Sequence, residues 1–371
     1  MYENEKRVVM TLDAGGTNFV FSATAGNKEI IDPIGFPSQP NDLKKCLKTI
    51  ETGFRKVMES LPEKPVAISF AFPGPADYEN GIIGDLPNFP SFRGGVALGP
   101  FLEKRFNLPV FINNDGNLFA YGEALSGALV DTNNLLEERG SNKHFKNLLG
   151  VTIGTGFGAG VVINNVLLTG DNGCGGDVWV FRNKQHPDTI CEESVSIRAV
   201  KRHYEQLCGE NTQDLSPKDI FDIAEGNRQG NRDAALKSFN MLGEVAGNTI
   251  SQALTIVDGL VVIGGGLTGA AKYFLPALIK EMNGTIGTFA GDVFPRMQMK
   301  AYNLEDRTEL NDFLADKSCI IDVPEYTNMH IQYNHVRETG VILSKLGASK
   351  AIALGAYAYA IANLDPDKIN Q

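Results

Sequence analysis

The sequence contains no CxxC pair; its five cysteines stand apart at positions 46, 174, 191, 208 and 319. Such scatter indicates neither a disulfide framework nor a cysteine-rich zinc centre. Apolar runs of the ~18 residues that a membrane span requires are also missing. No signal peptide precedes the first apolar strand, so the chain is expected to be cytoplasmic. Dense basic runs are absent too, and the net charge is −10, from 34 Lys and Arg against 44 Asp and Glu. Neutralising many phosphates takes a basic patch, which argues against a general nucleic-acid or lipid surface. A compact anionic ligand stays allowed, because the amides of a glycine loop bind phosphate without net positive charge.

What the chain has in plenty is glycine, 40 residues in 371, and length enough for two domains. Val8 to Leu12 is an apolar run closed by Asp13-Ala14-Gly15-Gly16-Thr17, and a second strand, Asn18 to Ala25, follows at once. This is a hairpin with a glycine tip, not the strand-to-helix loop of a dinucleotide-binding unit, and no GxxxxGK[ST] occurs. N–H groups in such a tip can face a phosphate, and Asp13 can hold a metal through water. The pattern recurs where Asn147 to Ile153 runs into Gly154-Thr155-Gly156-Phe157-Gly158 and a strand to Ile163. Two tips of this kind, facing each other, would grip a polyphosphate from both sides. A third glycine cluster, Gly264-Gly265-Gly266, closes the strand Leu260 to Ile263.

Between these loops the apolar spacing predicts helices over 42–61, 100–107, 118–125 and 231–257, and a closing helix over 351–362. The strand from Val66 to Phe72 ends in the rigid loop Pro73-Gly74-Pro75, and Asn88 is held between Pro87 and Phe89-Pro90. Residues 131–146 read as a polar excursion or lid, 191–207 as a helix, and 287–348 give no clear pattern. The most informative stretch is Phe111-Ile112-Asn113-Asn114-Asp115-Gly116-Asn117. It reads as a strand delivering amides and one carboxylate at its carboxyl end, just before a helix, which is where ligands bind in α/β sheets. Asp115 has no Lys or Arg within several residues, so it is poised to accept a proton.

In this order the motifs resemble those of the ROK family of sugar kinases and repressors. Asp13-x-Gly15-Gly16-Thr17 is similar to the family's first phosphate loop, Gly154-Thr155-Gly156-x-Gly158 to its second, and Gly264-Gly265-Gly266 to its adenosine-side loop. Pro73-Gly74-Pro75 with Leu86-Pro87-Asn88 resembles the sugar-side loops, and Asn114-Asp115-Gly116-Asn117 with Glu123 the catalytic segment. The resemblance implies an α/β chain with the actin-like ATPase (ribonuclease H-like) fold and two α/β domains around a cleft. The smaller would comprise residues 1–117 with 350–371, and the larger 118–349 with an unusual insertion around 287–348. It further implies an ATP- and Mg²⁺-dependent hexose kinase with glucose as the default acceptor. Asp115 would take the proton of the sugar 6-hydroxyl, with Pro73, Gly74, Asn88, Asn114, Asp177 and Glu193 around the sugar. A homodimer is expected, with no nucleic-acid or membrane partner.

Departures from the family pattern are concentrated in one segment. Where members commonly carry Gly-Glu-x-Gly-His and a CxCGxxGCxE zinc segment, this chain has Gly176-Asp177-Val178-Trp179-Val180, and only Cys191 and Glu193 match the latter. One cysteine does not make a tetrahedral zinc site, and His186 reads as a surface-loop histidine, so no structural zinc is expected. The shorter Asp177 and the apolar Val180 alter contacts around the sugar's C1 and C2, leaving mannose, fructose, allose and N-acetylhexosamines open as acceptors. Family repressors carry a winged helix-turn-helix before the kinase fold, and the loop at residue 13 leaves no room for one. A catalytically silent sugar-binding or regulatory protein is the alternative from another class. A polyphosphate donor would favour a basic groove, which this acidic chain does not show.

Overall fold

The computed structural model describes residues 2–74, 76–86, 89–209, 212, 214–326 and 328–365. The expectations for Pro75, Pro87 and Asn88 fall outside the described residues. Two six-stranded sheets carry the fold. In the first, Val9–Ala14 pairs antiparallel with Asn18–Ala25 and parallel with Ala67–Ala71, which in turn pairs parallel with Val110–Asn113. The short strands Lys28–Glu29 and Ile34–Pro37 extend the outer side of Asn18–Ala25. In the second, Leu148–Ile153 pairs antiparallel with Phe157–Ile163 and parallel with Leu260–Gly264. Glu338–Leu343 and then Lys300–Asn303 continue that sheet in parallel. The repeat visible in the sequence is thus a repeat of topology, a tight hairpin followed by parallel strands.

Register places both glycine tips at the carboxyl ends of the parallel strands, since Ala14 lies opposite Phe19 and Ile153 opposite Phe157. The inner strands are apolar on both faces because both faces are covered. On one side of the first sheet, Phe19, Phe21, Phe54, Phe70, Phe72, Phe89 and Phe92 are fully buried against the Leu43–Ser60 helix and the following loops. Ring centroids are 5.1 Å apart for Phe21 with Phe54 and for Phe72 with Phe89, the range in which aromatic pairs add to plain burial. On the other side lies the last helix, Ala348–Leu364, whose Tyr357 packs on Val9 and Ala67.

That helix also crosses the Asp115–Ser126 helix at very short range. A Cβ on Gly122 would stand 1.9 Å from the Ala351 carbonyl oxygen, and one on Gly355 1.8 Å from that of Leu118. Only glycine lets the two backbones meet there. Near the crossing, the buried carboxylate of Glu123 accepts the Ala128 N–H at 2.9 Å and the Ser344 hydroxyl, tying its helix to the strand Glu338–Leu343.

Capping follows the sequence signals: Asp42 accepts from the Lys45 N–H, Asn231 from Ala234, and Ser216 forms a reciprocal box with Asp219. Two expectations need correction. Much of 131–146 is the helix Ala128–Glu138, buried through Ala128, Leu129, Thr132 and Leu136, not a polar lid. The segment after Cys191 makes a single 3₁₀ turn, Cys191–Glu193, before the helix Ile197–Cys208, which Ser196 caps. Of the stretch 287–348, Lys300–Asn303 and Glu338–Leu343 belong to the second sheet, while Ser318–Asp322 and His330–Asn334 form a separate exposed hairpin. Among the described residues, no helix is long and apolar enough to cross a membrane.

Candidate active site

The strand Val110–Asn113 ends where the Asp115–Ser126 helix begins, and Asn114 is the cap: its side-chain oxygen accepts the Gly116 N–H at 2.7 Å. Capping therefore does not consume Asp115, although one of its oxygens shares the same N–H at 2.8 Å. Asn113 is turned inward and buried; its amide oxygen accepts the Asn114 N–H at 2.8 Å and the Asn117 amide at 3.0 Å. The amide pair fixes the strand-to-helix corner and leaves Asn114 and Asp115 to face outward. The Asp115 carboxylate is open to solvent on one side, with protein around the rest. That burial pushes its pKa above the ordinary carboxylate value, against the opposing pull of the Gly116 N–H.

Close packing brings Asp177 to the same place. A Cβ on Gly116 would lie 2.6 Å from the Ala159 carbonyl oxygen, and one on Gly176 3.2 Å from that same atom. The residues that follow or precede these two glycines, Asp177 and Asp115, are thereby held around one point of the strand Phe157–Ile163. Tyr78 joins them. Its hydroxyl donates to the Phe72 carbonyl at 2.9 Å and stands 3.0 Å from where a Gly74 Cβ would be. Burial pushes this phenol up to about 12, with Asn114 hydrogen-bonding to it and the charges of Asp115 and Asp177 within reach. The loop containing Pro73 and Gly74 is thus anchored beside Asn114. Sequence reasoning missed Tyr78, because no local pattern marks it.

The glycine tips are built as expected from their spacing. In the first, buried Ser38 pins the turn from below, its hydroxyl donating to the Gly16 carbonyl at 2.6 Å and its N–H to Thr17 at 2.9 Å. Asp13, Gly16 and Thr17 remain exposed above it, and burial of its inner side raises the Asp13 pKa. A lone carboxylate at such a tip suits Mg²⁺, which is held by one or two carboxylates, phosphate oxygens and waters. In the second, the Gly154 N–H donates to the Gly156 carbonyl at 2.9 Å, leaving Thr155 exposed at the apex. Gly154 lies next to Gly266, since a Cβ on it would be 3.8 Å from the Gly266 N. Gly264 ends its strand, and Gly265 has φ +95° with its α-carbon against Ile153, a conformation that a side chain would strain.

Glu193 is elsewhere engaged. It pairs with Arg202 at 3.0 Å, while its neighbour Glu192 reaches the second glycine tip, accepting the Phe157 N–H at 3.0 Å and meeting Arg198 at 3.1 Å. Arg198 and Arg202 are therefore both ion-paired. Glu192 is the second residue missed from sequence, since alternate residues of a 3₁₀ turn point in different directions. The Cys191 thiol is buried, is pushed up to about 11 by that burial, and donates to the carbonyls of Val178 and Trp179. It holds the Asp177 turn in place. Trp179 and Val180 are exposed on that turn.

The ROK family model matches residues 9–294. A glucokinase of Thermotoga maritima is 27% identical over 307 residues, covering 77% of this chain and 90% of that protein. An N-acetyl-D-glucosamine kinase of Haemophilus influenzae is 26% identical over 290 residues, covering 73% and 88%. The crystal structure of a glucokinase from Parabacteroides distasonis superposes with a TM-score of 0.89 at 56% identity, over 97% of this chain and 99% of that one.

Proposed function

The chain belongs to the ROK family and has its actin-like ATPase fold, and from that premise we propose that it is an ATP-dependent hexose kinase acting on the sugar 6-hydroxyl. One observation carries the reading: Asp115 stands at the carboxyl edge of the sheet, freed from capping by Asn114, with its proton affinity raised by burial. In the reaction the sugar's 6-oxygen attacks the γ-phosphorus and the bond from that phosphorus to the β,γ-bridging oxygen breaks. ADP leaves, and the hydroxyl proton passes to Asp115. Phosphoryl transfer of this kind depends on positioning and on spreading charge over fixed donors. Gly15, Gly16 and Thr17 on one tip and Thr155 and Gly156 on the other would supply N–H donors to the phosphates, with the Gly154 N–H closing the second turn. Gly264, Gly265 and Gly266 would lie toward the adenosine. Asp13 would hold Mg²⁺ through water, and that ion would neutralise phosphate charge.

Glucose is our first acceptor, a choice supported by the glucokinases among the similar proteins. The sugar would rest on Asn114, Gly74 and Asp177, with Glu193 held back by its pairing with Arg202. Mannose, fructose, allose and N-acetylhexosamines compete with it, because Asp177 is one methylene shorter than the glutamate usual in the family. Residues 1–117 with 350–371 and residues 118–349 would move as two units, a division supported by the two separate sheets. Homodimer formation is supported by the exposed apolar side chains of Ile320, Ile321, Ile331 and Tyr333. A second reading, a sugar-binding protein without turnover, is favoured only by the exposed Trp179 and Val180 on the sugar-side turn. A coupled assay of ADP release across a hexose panel decides between them. Turnover on at least one hexose is expected; nucleotide binding with no turnover on any sugar would overturn the kinase reading.

A further inference from the structure

Beside the Asp115 strand lies a cavity of about 730 Å³, within the 300–1,000 Å³ of ordinary small-molecule sites. None of the glycine tips, Asp115, Asp177 or Glu193 lines it. Its walls are the edge strand Val110–Asn113 of the first sheet and residues 76–80 on one side, and on the other the loop 169–173, which follows the short strand Val166–Leu167 of the second sheet. The C-terminal helix closes one end with Tyr359 and Asn363.

The chemistry of the walls is selective. They present three aromatic rings, those of Tyr78, Phe111 and Tyr359, and three carboxylates, those of Asp77, Glu79 and Asp171. Side-chain amides fill much of the rest, and no Lys, Arg or His is among the lining residues. Asp77 is held ionised by hydrogen bonds from its neighbour Asn80, whose amide lies 2.8 Å away. Asn117 is buried, and its side-chain oxygen finds no donor. An unpaired buried acceptor is costly, and a small shift of the Asn117 side chain would let a ligand hydroxyl satisfy it. Carboxylates and amides accept and donate to vicinal hydroxyls, and aromatic rings pack on the C–H face of a sugar. A phosphorylated sugar meets three negative charges and no cation.

We propose that this cavity is a second, non-catalytic site for an unphosphorylated carbohydrate. Tyr78 links it to the acceptor site, since the same residue lines the cavity and bonds to the Phe72 carbonyl and to Asn114. An occupant would bridge the edge of the first sheet and the loop 169–173. The site stands whether or not the chain turns sugar over.

Calorimetry on the full chain tests it, with glucose, N-acetylglucosamine, maltose and glucose 6-phosphate as probes at millimolar concentration. At least one neutral sugar is expected to bind at two per chain, both to the wild type and to Asp115→Asn. The charge reversals Glu79→Lys with Asp171→Lys, at exposed positions, and separately Asn363→Leu, should reduce that to one while leaving kcat within about twofold. Glucose 6-phosphate should not occupy the second site. One site for every neutral probe in the wild type overturns the proposal, as do two sites that survive both variants. Occupation by spermidine with no sugar bound would reassign the cavity to cations. Absence of ADP release would sink the kinase reading alone, because the stoichiometry is read without turnover.

Discussion

The carboxylate of Glu192 accepts the Phe157 N–H at 3.0 Å and lies 2.7 Å from where a Cβ on Gly156 would stand. A side chain from the segment that departs most from the family pattern thus holds the second glycine tip in shape. Glu192→Ala is expected to raise the KM for ATP about tenfold, the equivalent of one hydrogen bond to a charged group, with a smaller effect on kcat. Glu192→Gln keeps an acceptor and loses only the ionic pairing with Arg198, so it should fall between the wild type and Glu192→Ala. Indistinguishable kinetics for the two variants would show that this bond does not set the tip.

Replacing Asp115 by Asn should lower kcat by at least ~10²-fold while leaving nucleotide binding intact. Stability moves the other way. The folded protein holds the Asp115 proton more tightly than the unfolded chain, so stability falls as pH rises from the unfolded value through the folded one. Above that window the cost is constant. Asp115→Asn should therefore melt higher than the wild type at neutral pH, with the two curves converging in acid. An equal or lower Tm at neutral pH would mean that burial does not raise the Asp115 pKa.

Much of this site was legible in the sequence because glycine tips are local. Gly15-Gly16 and Gly154-Thr155-Gly156 sit between apolar strands, and the bounds of Asn18–Ala25 could be read directly. What escaped was set by distance along the chain or by direction. Lys300–Asn303 pairs with Glu338–Leu343 across more than thirty residues, and nothing local to either strand announces its partner. The helix Ala128–Glu138 was hidden by Asp131, Thr132, Asn133 and Asn134, weak helix formers whose apolar neighbours nonetheless face the core. Tyr78 enters the site through a turn, and Glu192 rather than Glu193 faces the tip, a one-residue distinction that composition does not carry.

Buried His203 offers a separate acid limit. Burial, with Arg202 as a second cause, pushes its pKa down to about 4 from an ordinary 6.5. The unfolded chain takes up this proton first, so the contribution of neutral His203 is complete above about pH 6.5 and is lost as pH falls toward 4. The difference corresponds to about 3 kcal/mol. In His203→Leu, the decline of Tm between pH 6.5 and 4 should be visibly shallower; an unchanged slope would show that other groups govern it.

At the crossing of the two helices, Gly355→Ala places a methyl group against the Leu118 carbonyl, a backbone atom that has no rotamer to adopt. A loss of about 3 kcal/mol in chemical denaturation is expected, at the upper end of overpacking costs. Gly94→Ala, where a Cβ would meet open space, is the control for added bulk, although its φ of +72° carries a strain of its own.

The same crossing bears on motion. The Asp115–Ser126 helix starts from a strand of the first sheet and lies on the second, and it meets the last helix backbone to backbone. The side chains around that contact are mostly small, with Leu118 packed on Ala356 and Ile352, so backbone sets the depth at which the helices meet. Asp115 opens the first turn of its helix, within one turn of Leu118, whereas the two glycine tips belong to separate sheets. On the two-unit division proposed above, a rotation of one sheet against the other would change the gap between the tips. As the proposed base, Asp115 would then be the reference against which the rest of the site is brought into line.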